Sequence, residues 1–222
     1  LVDFALSQGL YKPETDGKFN FSKAYTRDDG RDRIYNDPRV WIIQKLLNPS
    51  LTQDPQQGRS FPVYLTPEKK ATVEDAKAIL RNHFDGSEHD PYGADLRGDE
   101  PWRPISVFRT YEAHVLQVRP WLPKPIGEIL YVAMGMADLS VFIPFYAGLT
   151  HIPESWQKGT DQGEADSAYW KFRRVQTLAM TDYPKLAPIV KQTWAEFEAQ
   201  AKFEQEAMEK RVLELYRSDK TT

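Results

Sequence analysis

Between Pro104 and Gly148 the sequence carries four short runs rich in Val, Ile, Phe and Tyr: Ile105–Tyr111, His114–Arg119, Ile129–Met134 and Val141–Tyr146. The short connections between them predict an antiparallel meander. Several runs are apolar on both faces instead of alternating, so the sheet needs a layer above it and a layer below.

Helical patterns on either side could supply those layers. Asp37-Pro38 offers an N-cap followed by Pro at the first helical position, and Val40, Ile43, Leu46 and Leu47 follow at helical spacing up to Asn48-Pro49. Thr72-Val-Glu-Asp75 has the form of a capping box and opens an apolar face at Val73, Ala76, Ile79 and Leu80, predicting a helix that ends near Gly86. Residues 1–35 show no sustained period, and turn formers such as Tyr11-Lys-Pro-Glu-Thr-Asp-Gly17 and Arg27-Asp-Asp-Gly30 predict a short helix and surface loops. After the strands come a helix over Ala165–Met180 and a long segment with apolar residues at Val190, Trp194, Phe197, Ala201, Met208, Val212 and Leu215, interrupted by Glu204. That stripe reads as a core-facing helix surface, with a coiled coil or homo-oligomer contact as the competing reading.

The fold class is therefore α+β, with loops and two helices over 1–103, antiparallel strands over 104–148 and helices over 165–217. A chain of 222 residues, 41% hydrophobic, can fill one large core without a second domain. The 29 Lys and Arg residues are interspersed among 32 Asp and Glu, and the net charge of −3 leaves no basic stripe for nucleic acid. The longest apolar run, Ser140-Val-Phe-Ile-Pro-Phe-Tyr-Ala-Gly148, is far short of the roughly 20 residues that span a bilayer, so no membrane partner is expected. With 0 cysteines there are no disulfides or thiolate metal sites within the chain. The opening Leu1-Val-Asp-Phe-Ala-Leu resembles no signal peptide and predicts an internal start.

Short catalytic fingerprints are missing: there is no Gly-x-Ser-x-Gly elbow, HExxH helix, P-loop or GxGxxG motif, and no cofactor is expected. The densest polar cluster is His83-Phe-Asp-Gly-Ser-Glu-His-Asp90, in which His83, Asp85, His89 and Asp90 could ligate a metal. Its spacing matches no established zinc pattern, and such residues after a helix also serve as caps and turn formers. Arg39, Arg103, Arg109 and Arg119 lie within or beside apolar segments, where a guanidinium must be paired or stacked. Arg39 and Arg109 are the candidates for holding a carboxylate.

Several long stretches, in order, resemble one family. Arg103-Pro-Ile-Ser-Val-Phe-Arg-Thr-Tyr-Glu-Ala-His-Val-Leu-Gln-Val-Arg119 with Leu122-Pro123 and Gly127 is similar to the signature of the bacterial dipeptidase A family, cysteine peptidases related to penicillin V acylase and bile salt hydrolase. Tyr35-Asn-Asp-Pro-Arg-Val-Trp41 with Leu46-Leu-Asn-Pro-Ser50, Arg81-Asn-His-Phe-Asp-Gly-Ser-Glu88, and Ser140–Gly148 with Pro153-Glu-Ser155 carry the resemblance over nearly the whole chain.

The resemblance implies an αββα sandwich of the N-terminal-nucleophile hydrolase type, of which this chain is the C-terminal portion. It implies a dipeptide substrate and a cysteine thiolate that attacks the peptide carbonyl, with the cysteine's own α-amino group as base. This chain has 0 cysteines and begins with Leu1, so the nucleophile is expected upstream, on a preceding segment or a separate chain that acts as partner. The chain alone is then expected to be inert. In the related acylases an arginine at a comparable helix start lies near the nucleophile; Arg39 is the positional match, while Ile42 stands where a second arginine is expected. Cytoplasmic peptide turnover suits the resemblance. Three alternatives stay open: an amidase or acylase of the same chemistry, a non-catalytic binding or scaffold domain, and, least favoured by its spacing, a metal-dependent hydrolase using the His83–Asp90 cluster.

Overall fold

The computed structural model describes residues 1–25, 30–58, 61–93 and 102–219. Most of the turn at Arg27–Gly30 and the end of the polar loop at Arg59 and Ser60 lie outside the described residues. The chain divides into two compact units, Leu1–Lys69 and Lys70–Thr222.

The first unit is built of short helices: α1 Val2–Ser7, α2 Pro13–Asp16, α3 Phe21–Tyr25, α4 Asp32–Tyr35 and α5 Asp37–Leu47. Where one short helix and loops are expected over residues 1–35, four helices of four to six residues form among the described residues. Each stops within two turns, as at Gly17, whose φ of 65° no helix accommodates. In α5 the N-cap is Asn36, with Asp37 and Pro38 in the first turn, and the helix ends at Asn48 as expected.

The second unit holds the sheet. Helix α6, Val73–Arg81, starts with a complete capping box: the Asp75 amide donates to Thr72 Oγ1 at 3.1 Å and the Thr72 amide donates to Asp75 Oδ2 at 2.8 Å. It ends earlier than expected, at Arg81, because Asn82 turns extended (ψ 133°) and the following residues fold back into a polar cluster.

Among the described residues the meander has three strands in the order β1-β2-β3: β1 Glu112–Val118, β2 Glu128–Met134 and β3 Ile143–Tyr146, both pairs antiparallel. The segment Ile105–Tyr111, expected as a strand, is a series of turns. Its backbone groups bond to other partners: the Tyr92 hydroxyl bridges Ser106 O and the Phe108 amide, the Ser106 amide donates to Asn82 O, and Arg173 and Gln176 bind Phe108 O. With those groups committed, no ladder can form.

One sheet face buries Ile129, Tyr131 and Ala133 with Phe142, and Val73, Leu80, Ala113, Val115 and Tyr146 pack against them. The opposite face carries the registered rows Leu116–Leu130–Phe145 and His114–Val132–Ile143. The expectation of cover on both sides is met on the first face. On the second, Leu116 is 69% and Val118 is 65% exposed, while Trp156 of α8, Glu154–Gln157, stands edge-on to Phe145.

The remaining helices are α7 Lys124–Gly127, α9 Ala168–Ala179 and α10 Tyr183–Asp219, with a 3-10 turn at Ala137–Leu139 and another at Met180–Asp182 joining α9 to α10. At 37 residues α10 is about 55 Å long. Its inward stripe is Val190, Trp194, Glu198, Ala201, Gln205 and Glu209, whereas Phe197 and Leu215 of the expected apolar stripe are 50% and 61% exposed. The helix is thus held to the sheet largely by polar contacts: Arg119 grips Glu209, Tyr146 donates to the same carboxylate, and Gln205 donates to the Tyr131 hydroxyl at 3.0 Å. Among the described residues no helix is long and apolar enough to cross a membrane.

Candidate functional site

The most concentrated ionisable cluster forms around His83, whose side chain is 3% exposed. The chain reaches it through an unusual turn, in which Phe84 adopts φ +64° while its ring is buried edge-on to Trp102. A bulky residue in the left-handed region costs of order 1–3 kcal/mol, so the surrounding contacts must hold it there.

His83 Nδ1 lies 2.8 Å from Asp90 Oδ1. Asp90 also accepts from the Tyr92 amide at 2.9 Å, and a carboxylate that only accepts places a proton on Nδ1. On the other side of the ring, Nε2 lies 2.9 Å from Asp85 Oδ1, 2.8 Å from the Tyr183 hydroxyl, 3.4 Å from Lys191 Nζ and 3.6 Å from Asp138 Oδ2. Lys191 Nζ is 2.7 Å from Asp138 Oδ1, and the Tyr183 hydroxyl donates to Asp138.

Burial opposes an imidazolium here, but the carboxylates of Asp85, Asp138 and Asp90 outweigh it and raise the ring's pKa above the ordinary histidine value. Burial likewise opposes the Asp85 carboxylate, and its pairing with His83 and Lys191 overcomes that and lowers it to about 2. Tyr183 is pushed up strongly by burial and by the charge of Asp138, and Tyr92 to about 12, chiefly by burial.

Of the four metal-ligand candidates, the cluster joins three, with Asp138 added. Donor atoms of His83, Asp85 and Asp138 all lie within 4.8 Å of one another, close enough to share a cation, and Asp90 holds the ring from behind as a carboxylate behind a metal-bound histidine does. The position facing these donors is taken by the Lys191 ammonium and the Tyr183 hydroxyl, so a metal would have to displace both. His89 is elsewhere, stacked on Trp102 at 3.5 Å between ring centroids.

Tyr183 and Lys191 lie 100 and 108 residues from His83, and no local pattern announces them. Asp138 left one trace in the sequence, a single charge inside the apolar run Met134–Phe142.

The arginine candidates fall in different units. Arg39, in α5, is half-buried and donates from Nε to Tyr35 O at 2.6 Å and from its guanidinium to Asn36. Arg109 is exposed on the turn after Val107, with its guanidinium 5.4 Å from the Phe108 ring. Arg119 is committed to Glu209. A cleft of about 930 Å³ opens between α6, the covered face of β1 and α10, lined by Lys77, Gln117, Arg119, Tyr131, Lys202 and Glu206 among others.

Comparison with known proteins decides what kind of chain carries these features. The model of peptidase family C69 matches residues 1–196. The chain belongs to peptidase family C69. It is 51% identical over 163 residues to a probable dipeptidase of Salmonella dublin, covering 73% of this chain and 36% of that protein. It is 36% identical over 187 residues to a probable dipeptidase A of Streptococcus pyogenes serotype M3 (strain SSI-1), covering 82% and 40%. Dipeptidase A of Lactobacillus helveticus is 27% identical over 173 residues, covering 77% and 36%. The resemblance read from Arg103–Arg119 and its companion motifs is borne out. The chain spans about two-fifths of the length of these relatives, from 36% to 40%.

Proposed function

We propose that the chain is the C-terminal part of a cysteine dipeptidase whose nucleophile lies outside its 222 residues. The carrying observation is the family match over residues 1–196, with relatives named as dipeptidases of which the matched part makes up only 36% and 40%. A thiolate mechanism needs a cysteine and this chain has 0, so the missing portion must provide it.

In this reading the thiolate adds to the dipeptide carbonyl, the cysteine's α-amino group takes and returns the proton, the C-terminal amino acid leaves, and water releases the acyl group. The present chain contributes sheet, helices and pocket walls. The apolar face around Leu116, Val118, Leu130 and Val132 is the seat for the nucleophile-bearing portion, since burying exposed apolar surface favours association. Arg39 or Arg109 holds the substrate carboxylate, exploiting a guanidinium that stays charged.

The test is hydrolysis of a dipeptide panel and of acyl amides by this chain alone and by the longer protein that contains it. The reading expects an inert chain and a longer protein that cleaves dipeptides and loses activity to a thiol alkylating agent. Dipeptide hydrolysis by the 222-residue chain alone would overturn it.

A further inference from the structure

The end of α6, the turns before β1, the 3-10 turn after β2 and the start of β1 surround a hollow of about 280 Å³. Leu80, Ile105, Thr110 and Ala137 form its walls, and the consecutive residues Glu112, Ala113 and His114 line it from β1. Side chains alternate along a strand, so three residues in succession are presented together only at a strand's edge, and β2 pairs along the other edge of β1. We propose, resting on the dipeptidase reading above, that this hollow receives the N-terminal residue of the dipeptide: the Glu112 carboxylate takes the free α-ammonium and the apolar wall takes the side chain.

A dipeptide carries an ammonium at one end and a carboxylate at the other, and each must meet an opposite charge when it leaves water. Arg39 or Arg109 serves the carboxylate, which leaves the ammonium in need of an acid. Glu112 is the one acid among the described residues that line the hollow. Both of its carboxylate oxygens lie 3.1 Å from His114 Nδ1. Because a carboxylate only accepts, that contact places a proton on Nδ1, and the ring fixes the carboxylate while leaving it lone pairs for an incoming ammonium. The two side chains are half-exposed, so a ligand reaches them.

Glu112 and His114 project from the same face of β1 as the exposed Leu116 and Val118. Closing that face under the nucleophile-bearing portion draws the carboxylate into a drier setting, where its attraction for an ammonium strengthens. Of the two arginines, Arg109 precedes Glu112 by three residues. Three residues of chain reach at most about 11 Å and the two residues of a dipeptide about 7 Å, so Arg109 and Glu112 with their side chains can hold the two ends of one dipeptide.

The test uses the longer protein, with leucylalanine as substrate and N-acetyl-leucylalanine, which lacks the ammonium, as competing ligand. Wild-type protein is expected to bind the acetylated form about ten- to a hundred-fold more weakly than the free dipeptide, the range for a lost bond to a charged group. Glu112→Gln should raise KM for the free dipeptide by the same factor, keep kcat within about threefold and leave binding of the acetylated form unchanged. An exposed His–Glu pair contributes little to stability, so this variant should fold. Glu112→Asp should recover part of the loss, and Glu196→Gln, at an exposed position of α10, should behave as wild type. Equal wild-type binding of the free and acetylated dipeptides would overturn the proposal without any variant. So would a Glu112→Gln protein with an unchanged KM, or one that binds both forms more weakly to the same extent, as a merely structural role would produce. A longer protein that hydrolyses no dipeptide at all would overturn the dipeptidase reading and this subsite with it, a result distinct from hydrolysis that is insensitive to Glu112.

Discussion

Glu198 is the residue on which the seating of α10 over the sheet most clearly depends. Its carboxylate accepts from both terminal nitrogens of Arg81 and from the Phe142 amide at 2.7 Å, and it is 16% exposed. Arg81, 26% exposed, also donates to Ala137 O and to Ser140 O, and its guanidinium lies 4.9 Å from the Phe142 ring. Glu198→Ala therefore leaves the Arg81 guanidinium without its counter-charge and the buried Phe142 amide without its acceptor. Breaking a fully buried pair from one side costs about 3–5 kcal/mol. The partial exposure of both side chains lets water compensate, which brings the expected loss to about 2–3 kcal/mol. In a protein of this size that lowers the thermal midpoint by about 4–12 °C. Differential scanning calorimetry reads it, with Glu196→Ala as the control: Glu196 is exposed and accepts from Gln192 at 3.1 Å, so its loss should stay within about 0.5 kcal/mol. Pairing Glu198→Ala with Arg81→Ala in a double-mutant cycle should return a coupling of about 1–3 kcal/mol. A Glu198→Ala midpoint indistinguishable from wild type, or additive single variants, would refute the reasoning.

Thr72→Ala removes the capping-box hydroxyl of α6 and should cost about 1 kcal/mol in urea denaturation, with Thr72→Ser recovering most of it. Gly135→Ala should cost about 1–3 kcal/mol by the same measurement, because φ is +79° and the new Cβ would sit 2.8 Å from Gln176 Oε1, the acceptor of the Met136 amide. Leu116→Lys should leave the stability of the chain alone within about 0.5 kcal/mol, since the side chain is 69% exposed, yet abolish dipeptidase activity of the longer protein by spoiling the seat for its other half. Full activity in that variant would remove the open face from the account.

The parts of the fold that were legible in the sequence are those with local causes. The Thr72–Asp75 box, the Asp37–Leu47 helix and the three strands from Glu112 to Tyr146 all rest on residues a few positions apart, and each formed close to its expected bounds. Ile105–Tyr111 has the composition of a strand, but it turns on itself through Val107 and Thr110, and its other backbone groups bond Asn82, Tyr92, Arg173 and Gln176, all distant in sequence. The end of α6 was misplaced for a related reason: the residues after Arg81 leave the helix to reach Asp138, Tyr183 and Lys191. In α10 a purely apolar periodicity picks Phe197 and Leu215 as inward, whereas Glu198 and Glu209 point inward because Arg81 at the end of α6 and Arg119 after β1 meet them. Of the polar cluster, His83, Asp85 and Asp90 were visible as a dense local run; their partners were not, since long-range ion pairing leaves no periodic mark.

The central claim is that the chemistry resides on a cysteine beyond these residues, and the most direct measurement is covalent labelling. The longer protein would be treated with a dipeptide carrying a thiol-reactive electrophile in place of its scissile bond, then digested and mapped by mass spectrometry. The account predicts one labelled cysteine outside residues 1–222, with labelling blocked by excess dipeptide and hydrolysis lost in proportion. Label on a side chain within these residues, or full hydrolysis by protein whose cysteines are all blocked, would contradict it.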